Sequence, residues 1–188
     1  MRLRDVGFTP ADVEVYLRLR CDPVMMAELG GPLPRAGIAA KVERDARDAA
    51  ADRAWIKMII PDETRPEVVA GTVVLWTHEN HGTDTGADAG RGGGADGGDA
   101  GGGGPFSEIG WMVLPAFQGR HLATLAAGAL LDLARADGRW GLVHAYPAVT
   151  NGPSNGICRA LGFTRHETLT VPFAGRALRA NHWSIDLR

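Results

Sequence analysis

The segment from Glu108 to Ala123 concentrates the residue types most able to do chemistry. It reads Glu108-Ile-Gly-Trp-Met-Val-Leu-Pro-Ala-Phe-Gln-Gly-Arg-His-Leu-Ala123, an apolar strand that breaks at Pro115 and turns straight into a long amphipathic helix. The first turn of a helix carries N–H groups with no internal partner and the positive end of the helix dipole, so a pyrophosphate can rest there. Gly119 suits a close backbone approach to such a ligand, and Arg120 offers a fork of donors to phosphate oxygens. Taken alone, Gln118 to Ala123 is equally an ordinary strand-to-helix turn. A second cluster lies downstream, Asn151-Gly-Pro-Ser154 followed by Leu161-Gly162-Phe163. His78-Glu-Asn-His81 has the spacing of a chelating pair but no third ligand in view, so no metal centre is expected.

These motifs carry a resemblance. Gln118-Gly-Arg-His-Leu-Ala123 resembles the Gln/Arg-x-x-Gly-x-Gly/Ala signature of the GNAT acetyltransferase superfamily. Asn151-Gly-Pro-Ser154 with Leu161-Gly162-Phe163 resembles the Asn-x-x-Ser and Leu-Gly-Phe pair of the branch that acetylates ribosomal-protein N-termini. Asp22-Pro23, Leu29-Gly30-Gly31 and the closing Trp183-Ser-Ile185 extend the likeness over most of the chain, while His121 stands where the signature has its central glycine. The resemblance implies an α+β fold, with a mixed, mostly antiparallel sheet of six to seven strands flanked by helices. Its central strands, here Ser107–Val113 and Leu142–Tyr146, would splay so that the pantetheine arm of acetyl-coenzyme A enters between them. Cofactor contacts would then come from the main chain of Met112, Val113 and Leu114, pairing as an added strand does. Others would come from Gln118, Gly119, Arg120, His121, Leu122 and Ala123 in the loop, and from Asn151 and Ser154. Plain core packing is the competing reading for the first three, and turn formation for Asn151.

Moving an acetyl group to an amine requires a neutral amine, donors for the developing oxyanion and a proton for the departing thiolate. Glu108 is the base candidate nearest the cofactor strand, against a solvated strand-end carboxylate. His144 is the alternative base, against a structural hydrogen-bonder. Ser154 matches the acid of the resembling branch, against simple helix capping. Cys158 falls where many of the superfamily carry an acid tyrosine, against a buried core thiol. The expected activity is direct N-acetyl transfer in a ternary complex to a small-molecule amine or a protein N-terminus. The rival from another class is a non-catalytic acyl-coenzyme A binding module, kept open by His121; a cofactor-free structural domain would require both signatures to be accidents.

The elements that must position these groups follow from patterning. With 188 residues and 45% hydrophobic content, the chain suits one domain with one ordinary core. The net charge is −2, and no basic excess points to nucleic acid. Cys21 and Cys158 lack metal or redox spacing, no apolar run suits a membrane, and Met-Arg-Leu-Arg-Asp has no leader-like apolar core, so a cytoplasmic protein is expected. A first strand at Arg2 to Phe8 leads to a helix from the Thr9-Pro-Ala-Asp12 capping box to Arg20. Helices follow at Pro23 to Leu29 and Arg35 to Asp52, then an antiparallel hairpin of Ala54–Ile60 and Glu67–Thr77. Gly82 to Gly104 holds 12 glycines in 23 residues and is expected as a flexible insertion. After it come the strand Ser107–Val113 and a helix Gln118–Gly138 with Leu122, Leu125, Ala126, Ala129, Leu130 and Leu133 on its buried stripe. A strand Leu142–Tyr146, a short helix Pro153–Leu161 and closing strands Thr164–Val171 and Leu178–Leu187 complete the chain.

Overall fold

Apolar side chains that alternate along each strand assign one set to each face of a sheet, and both faces here are covered by helices. The structure, a computed structural model, describes residues 1–78, 106–173 and 175–188; the glycine-rich segment 82–104 lies outside the described residues. The elements in order are β1 (Arg2–Asp5), α1 (Pro10–Arg20), α2 (Ile38–Ala50), β2 (Ala54–Ile60), β3 (Gly71–His78), β4 (Phe106–Val113), α3 (Leu122–Asp137), β5 (Leu142–Ala145), α4 (Gly152–Ala160), β6 (Thr164–Phe173) and β7 (Arg176–Asp186). Among the described residues seven strands form one sheet in the order β1-β2-β3-β4-β5-β7-β6. Every pairing is antiparallel except β4 with β5.

Period two sorts the core. Ile56, Met58, Ile60 and Trp76 pack with Val15, Tyr16, Leu19, Ile38 and Val42 of α1 and α2 on one face. Ile59, Val73, Leu75, Ile109 and Val143 pack with α3 on the other. By the same alternation Glu108, Gly110 and Met112 share the α1–α2 face with Thr72, Val74 and Trp76, their partners across β3. Gly71, at the start of β3, is there because of a close approach: a β-carbon would stand 2.0 Å from the Met112 carbonyl oxygen.

Three expectations are corrected. The stripe of α3 is rotated: Leu122, Ala126 and Leu130 are buried with Ala127, Leu131 and Ala134, whereas Leu125 and Leu133 are 55% and 51% exposed. Alanines on the inner face let the helix approach a sheet whose bulk comes from Val, Ile and Trp, and that choice is invisible to a count of leucines. Pro23 to Leu29 forms only a single 3₁₀ turn at Ala27–Leu29, stopped by Gly30 at φ 82°. The Thr9 cap forms, with Thr9 Oγ1 accepting from the Asp12 amide at 3.1 Å, but the reciprocal half of the box does not. Asp12 is buried and instead accepts from the Arg4 guanidinium and from the Gly7 amide at 2.8 Å. No helix among the described residues is long and apolar enough to cross a membrane.

Candidate functional site

β4 and β5 run side by side only at Ser107–Val143 and Glu108–His144. Beyond that point Ile109 to Val113 have no strand partner on the β5 side. The chain leaving β5 is drawn toward β7 instead. Asn181 N donates to Pro147 O at 2.9 Å, Val149 N to Arg179 O at 3.0 Å, and Ala148 bridges to Ala180. The opened gap continues into a cavity of about 470 Å³ lined by Ile109 to Val113, by Ala145 to Ala148, and by Arg20, Met25 and Glu28 on the far wall. Thr150 Oγ1 donates to Glu28, which ties that wall to the loop before α4.

At one end of the gap lies the loop from Leu114 to His121. Gly119 takes φ 73° and His121 φ 57°, both left-handed, and α3 starts directly after His121 with no side-chain cap. The first helical bond is Leu125 N to His121 O. Backbone N–H groups from Gly119 to Thr124 meet no acceptor among the described residues, so consecutive unpaired donors lie beside an exposed Arg120, whose guanidinium lies 5.8 Å from the Phe117 ring centre. Such a cradle suits a polyphosphate. His121 occupies backbone space that favours glycine, so His121→Gly should raise stability by about 0.5–1 kcal/mol while leaving the donors in place. Thermal melting and a titration with coenzyme A check this; a large loss of affinity would mean that the imidazole itself contacts phosphate.

The other candidates fall around the same gap. Gln118 Nε2 donates to Val113 O at 2.9 Å, so this side chain pins the loop to β4. Leu114 N donates to Ala70 O at 2.8 Å and the Met112 carbonyl lies against Gly71, so the main chain of both turns toward β3, contrary to the expectation that they pair with a ligand; Met112 lines the cavity, and Val113 alone of the three has its amide on the β5 edge. Asn151 Oδ1 accepts from Ser154 N at 3.0 Å and caps α4. The Ser154 hydroxyl has no partner among the described residues and lines the cavity with Leu122's neighbour Ala123. Cys158 is fully buried in the core under α3, and burial pushes its thiol up to about 12.

Glu108 sits where the strands part, 5% exposed. Burial raises its carboxyl to about 7, against a smaller opposing pull from His78. His78 Nε2 stands 2.8 Å from Glu108 Oε2 and 3.0 Å from the donating Trp76 Nε1. One ring nitrogen cannot accept from the indole and donate to a carboxylate at once, so with both bonds made the proton lies on Glu108. Rings continue outward from this pair: Phe106 stacks on His78 at 4.6 Å, and His144 meets Phe106 edge-on at 5.1 Å and stacks on His182 at 5.0 Å. Burial, then the neighbouring His182, His166 and His78, push His144 down to about 4. His81, the other half of the sequence pair with His78, lies outside the described residues, and among the described residues no cluster suited to a metal ion occurs.

Sequence reasoning missed Trp76 and Arg20, which come from segments distant in sequence from β4, weighed His78 only as half of a chelating pair, and gave Tyr146 no role in the cavity that it lines. It also missed Asn155. This side chain donates to Ala148 O at 2.9 Å and Asn151 O at 2.8 Å, and accepts from Asn181 Nδ2 at 2.8 Å and Trp183 Nε1 at 3.0 Å. The only signal was its place one turn into a capped helix.

The profile of the acetyltransferase (GNAT) domain matches residues 2–164. No curated protein matches the chain. Among solved structures it is similar to a GNAT-family acetyltransferase from Bacillus anthracis, at 16% identity, covering 98% of this chain and 93% of that one with a TM-score of 0.68. It is also similar to the Salmonella typhimurium acetyltransferase that modifies the N-terminal serine of a 50S ribosomal subunit protein, at 14% identity, 98% and 93% coverage and TM-score 0.68. An aminoglycoside acetyltransferase in complex with coenzyme A matches at 15% identity, 98% and 92% coverage and TM-score 0.66.

Proposed function

The chain belongs to the acetyltransferase (GNAT) domain family, and from that membership we propose that it moves the acetyl group of acetyl-coenzyme A to a primary amine by direct transfer in a ternary complex. The observation that carries this reading is a buried carboxyl, Glu108, with its pKa near neutrality at the point where β4 and β5 separate. The unpaired amides from Gly119 to Thr124 and Arg120 fit the pyrophosphate, and the β5-side edge from Ile109 to the Val113 amide, whose own carbonyl is taken by Gln118, fits the pantetheine amides as an added strand. Acetyl-coenzyme A supplies the activated acetyl group.

The residues of the chain divide the remaining work. Glu108, as carboxylate, takes the proton that the amine must lose as the N–C bond forms, and a pKa of about 7 keeps that form populated at neutral pH. His144 at about 4 is a weaker base, and its Nδ1 lies 2.7 Å from His182 Nε2. Edge N–H groups of β4 near Val113 are the donors for charge on the acetyl oxygen. As the C–S bond breaks, the sulfur takes a proton relayed by the Ser154 hydroxyl. A covalent route through Cys158 is disfavoured, because a thiol held at about 12 in the core supplies almost no thiolate. His121, the feature that supported a non-catalytic binding module, adopts a left-handed backbone of the kind that glycine favours.

The resemblance of Asn151–Ser154 and Leu161–Phe163 to the branch that acetylates ribosomal-protein N-termini supports an α-amine among the acceptors, and similar structures that modify a protein N-terminus and aminoglycosides bracket the range. The deciding experiment is calorimetric titration with acetyl-coenzyme A, followed by release of free coenzyme A across a panel of amines. Arg120→Ala should weaken the cofactor by about 10-fold or more through loss of charge-assisted contacts. No heat and no thermal shift in the wild type would sink the assignment.

A further inference from the structure

We propose that Arg20 forms an oxyanion subsite in the acceptor half of the cavity, so that the amine acetylated by this protein also carries a carboxylate or a phosphate. Arg20 closes α1, lines the cavity and is only 8% exposed. Its guanidinium lies 5.8 Å from the Tyr16 ring centre, a contact that orients the fork without neutralising it. Among the described residues no carboxylate, carbonyl or hydroxyl bonds it. The two acids near Tyr16 are already engaged: Asp45 Oδ1 takes Lys41 Nζ at 3.1 Å and Asp45 Oδ2 the Tyr16 hydroxyl at 2.8 Å, while Asp12 takes the Arg4 guanidinium and the Gly7 amide. The other charged residues on the cavity wall are Glu28, held by Thr150, and Glu108, held by His78.

Arg20 opens on the cavity with no counter-ion bonded to it among the described residues, so a ligand that brings the missing charge is bound preferentially. A planar fork matches carboxylate and phosphate in two-point contact, which a neutral amine cannot offer. The phosphates of the donor have their own cradle at the start of α3, served by Arg120, while Arg20 closes α1 and lines the cavity together with Met25, whose Sδ lies 3.8 Å from Gln118 Nε2, and Glu28, held by Thr150. The acceptor would place its amine at Glu108 and its anion at Arg20, within one cavity of about 470 Å³.

This inference rests on the acetyltransferase reading, and the test separates the two. With acetyl-coenzyme A saturating, coenzyme A release is compared for β-alanine against propylamine and for phosphoethanolamine against ethanolamine. The wild type should favour one or both anionic members by about 10- to 100-fold in kcat/KM, the carboxylate and phosphate arms telling which oxyanion fits. Arg20→Met should abolish that preference by raising KM for the anionic member alone, and Arg20→Lys should restore part of it. Methionine conserves the packing of the stem, so melting should show Arg20→Met folded. Should none of these four amines turn over, the anionic pair should still raise the melting temperature of the cofactor-saturated wild type and not of Arg20→Met. Equal preference in both proteins, equal shifts in both, or a loss confined to acetyl-coenzyme A affinity would overturn the subsite. Absence of acetyl-coenzyme A binding in the wild type would instead strike the acetyltransferase reading.

Discussion

Glu108→Gln should slow acetyl transfer by about 10²- to 10⁴-fold and at the same time make the protein more heat-stable at alkaline pH. Both effects have one cause. An ordinary glutamate titrates near 4.5, and burial raises Glu108 to about 7, so the folded state holds this proton more tightly than the unfolded chain does. The stabilisation is therefore complete below the unfolded value, declines as pH rises through 7, and is gone above it. Glutamine imitates the protonated side chain at every pH and can still donate to His78 Nε2. By pH 8 the variant should gain roughly 3 kcal/mol over the wild type, since each tenfold difference in proton affinity between the folded and unfolded states is worth about 1.4 kcal/mol; that corresponds to about 6–12 °C in Tm. At pH 4 the two should melt together. In the rate profile, the wild type should lose activity below about pH 7 and the variant should show no such limb. A Tm difference that does not change with pH would remove the burial argument. A wild-type profile flat through neutrality would transfer the base role away from Glu108.

Asn155→Ala should be the most destabilising polar substitution in the molecule, by about 3–5 kcal/mol. All four hydrogen-bonding positions of this amide are used, on the carbonyls of Ala148 and Asn151 and on the donors of Asn181 and Trp183. Alanine leaves two buried donors facing an apolar gap, each costing about 1–3 kcal/mol. The loss is also directional. Asn155 holds the Ala148–Asn151 loop against β7, and that attachment pulls β5 away from β4, so the cofactor gap should narrow or become heterogeneous as stability falls. A Tm decrease of about 6–20 °C with weakened acetyl-coenzyme A binding is expected. Asn155→Asp keeps the acceptors but loses both donations and buries a charge, so it should be no better. A decrease of less than about 2 °C for Asn155→Ala would show that water or a shifted side chain replaces these bonds.

What the sequence by itself determined is local. Pro115, Gly119 and the helix that follows dictate a strand-to-helix loop, because proline fixes φ and glycine admits the left-handed backbone wherever they stand. Thr9 and Asn151 mark helix starts through bonds spanning three residues. The extended segments of the sheet were legible from β-branched and aromatic runs, and Glu108 was visible as the carboxylate on the strand that leads into the loop. Other features depended on the tertiary structure. The inner face of α3 was decided by how closely alanine lets a helix approach the sheet, and therefore Leu125 and Leu133 point outward. The raised pKa of Glu108 required burial, which exists only once β3 and β4 are paired, and it persists against the opposing pull of His78 from the neighbouring strand. Arg20 became part of the same cavity only when α1 crossed the face that carries Glu108. The parting of β4 and β5 arose because β7 competes for the backbone after β5, with a hub at Asn155 that no local pattern marks. Local sterics are encoded within a few residues, whereas the shared burial that sets charge, pKa and cavity shape exists only after strands distant in sequence have been placed side by side.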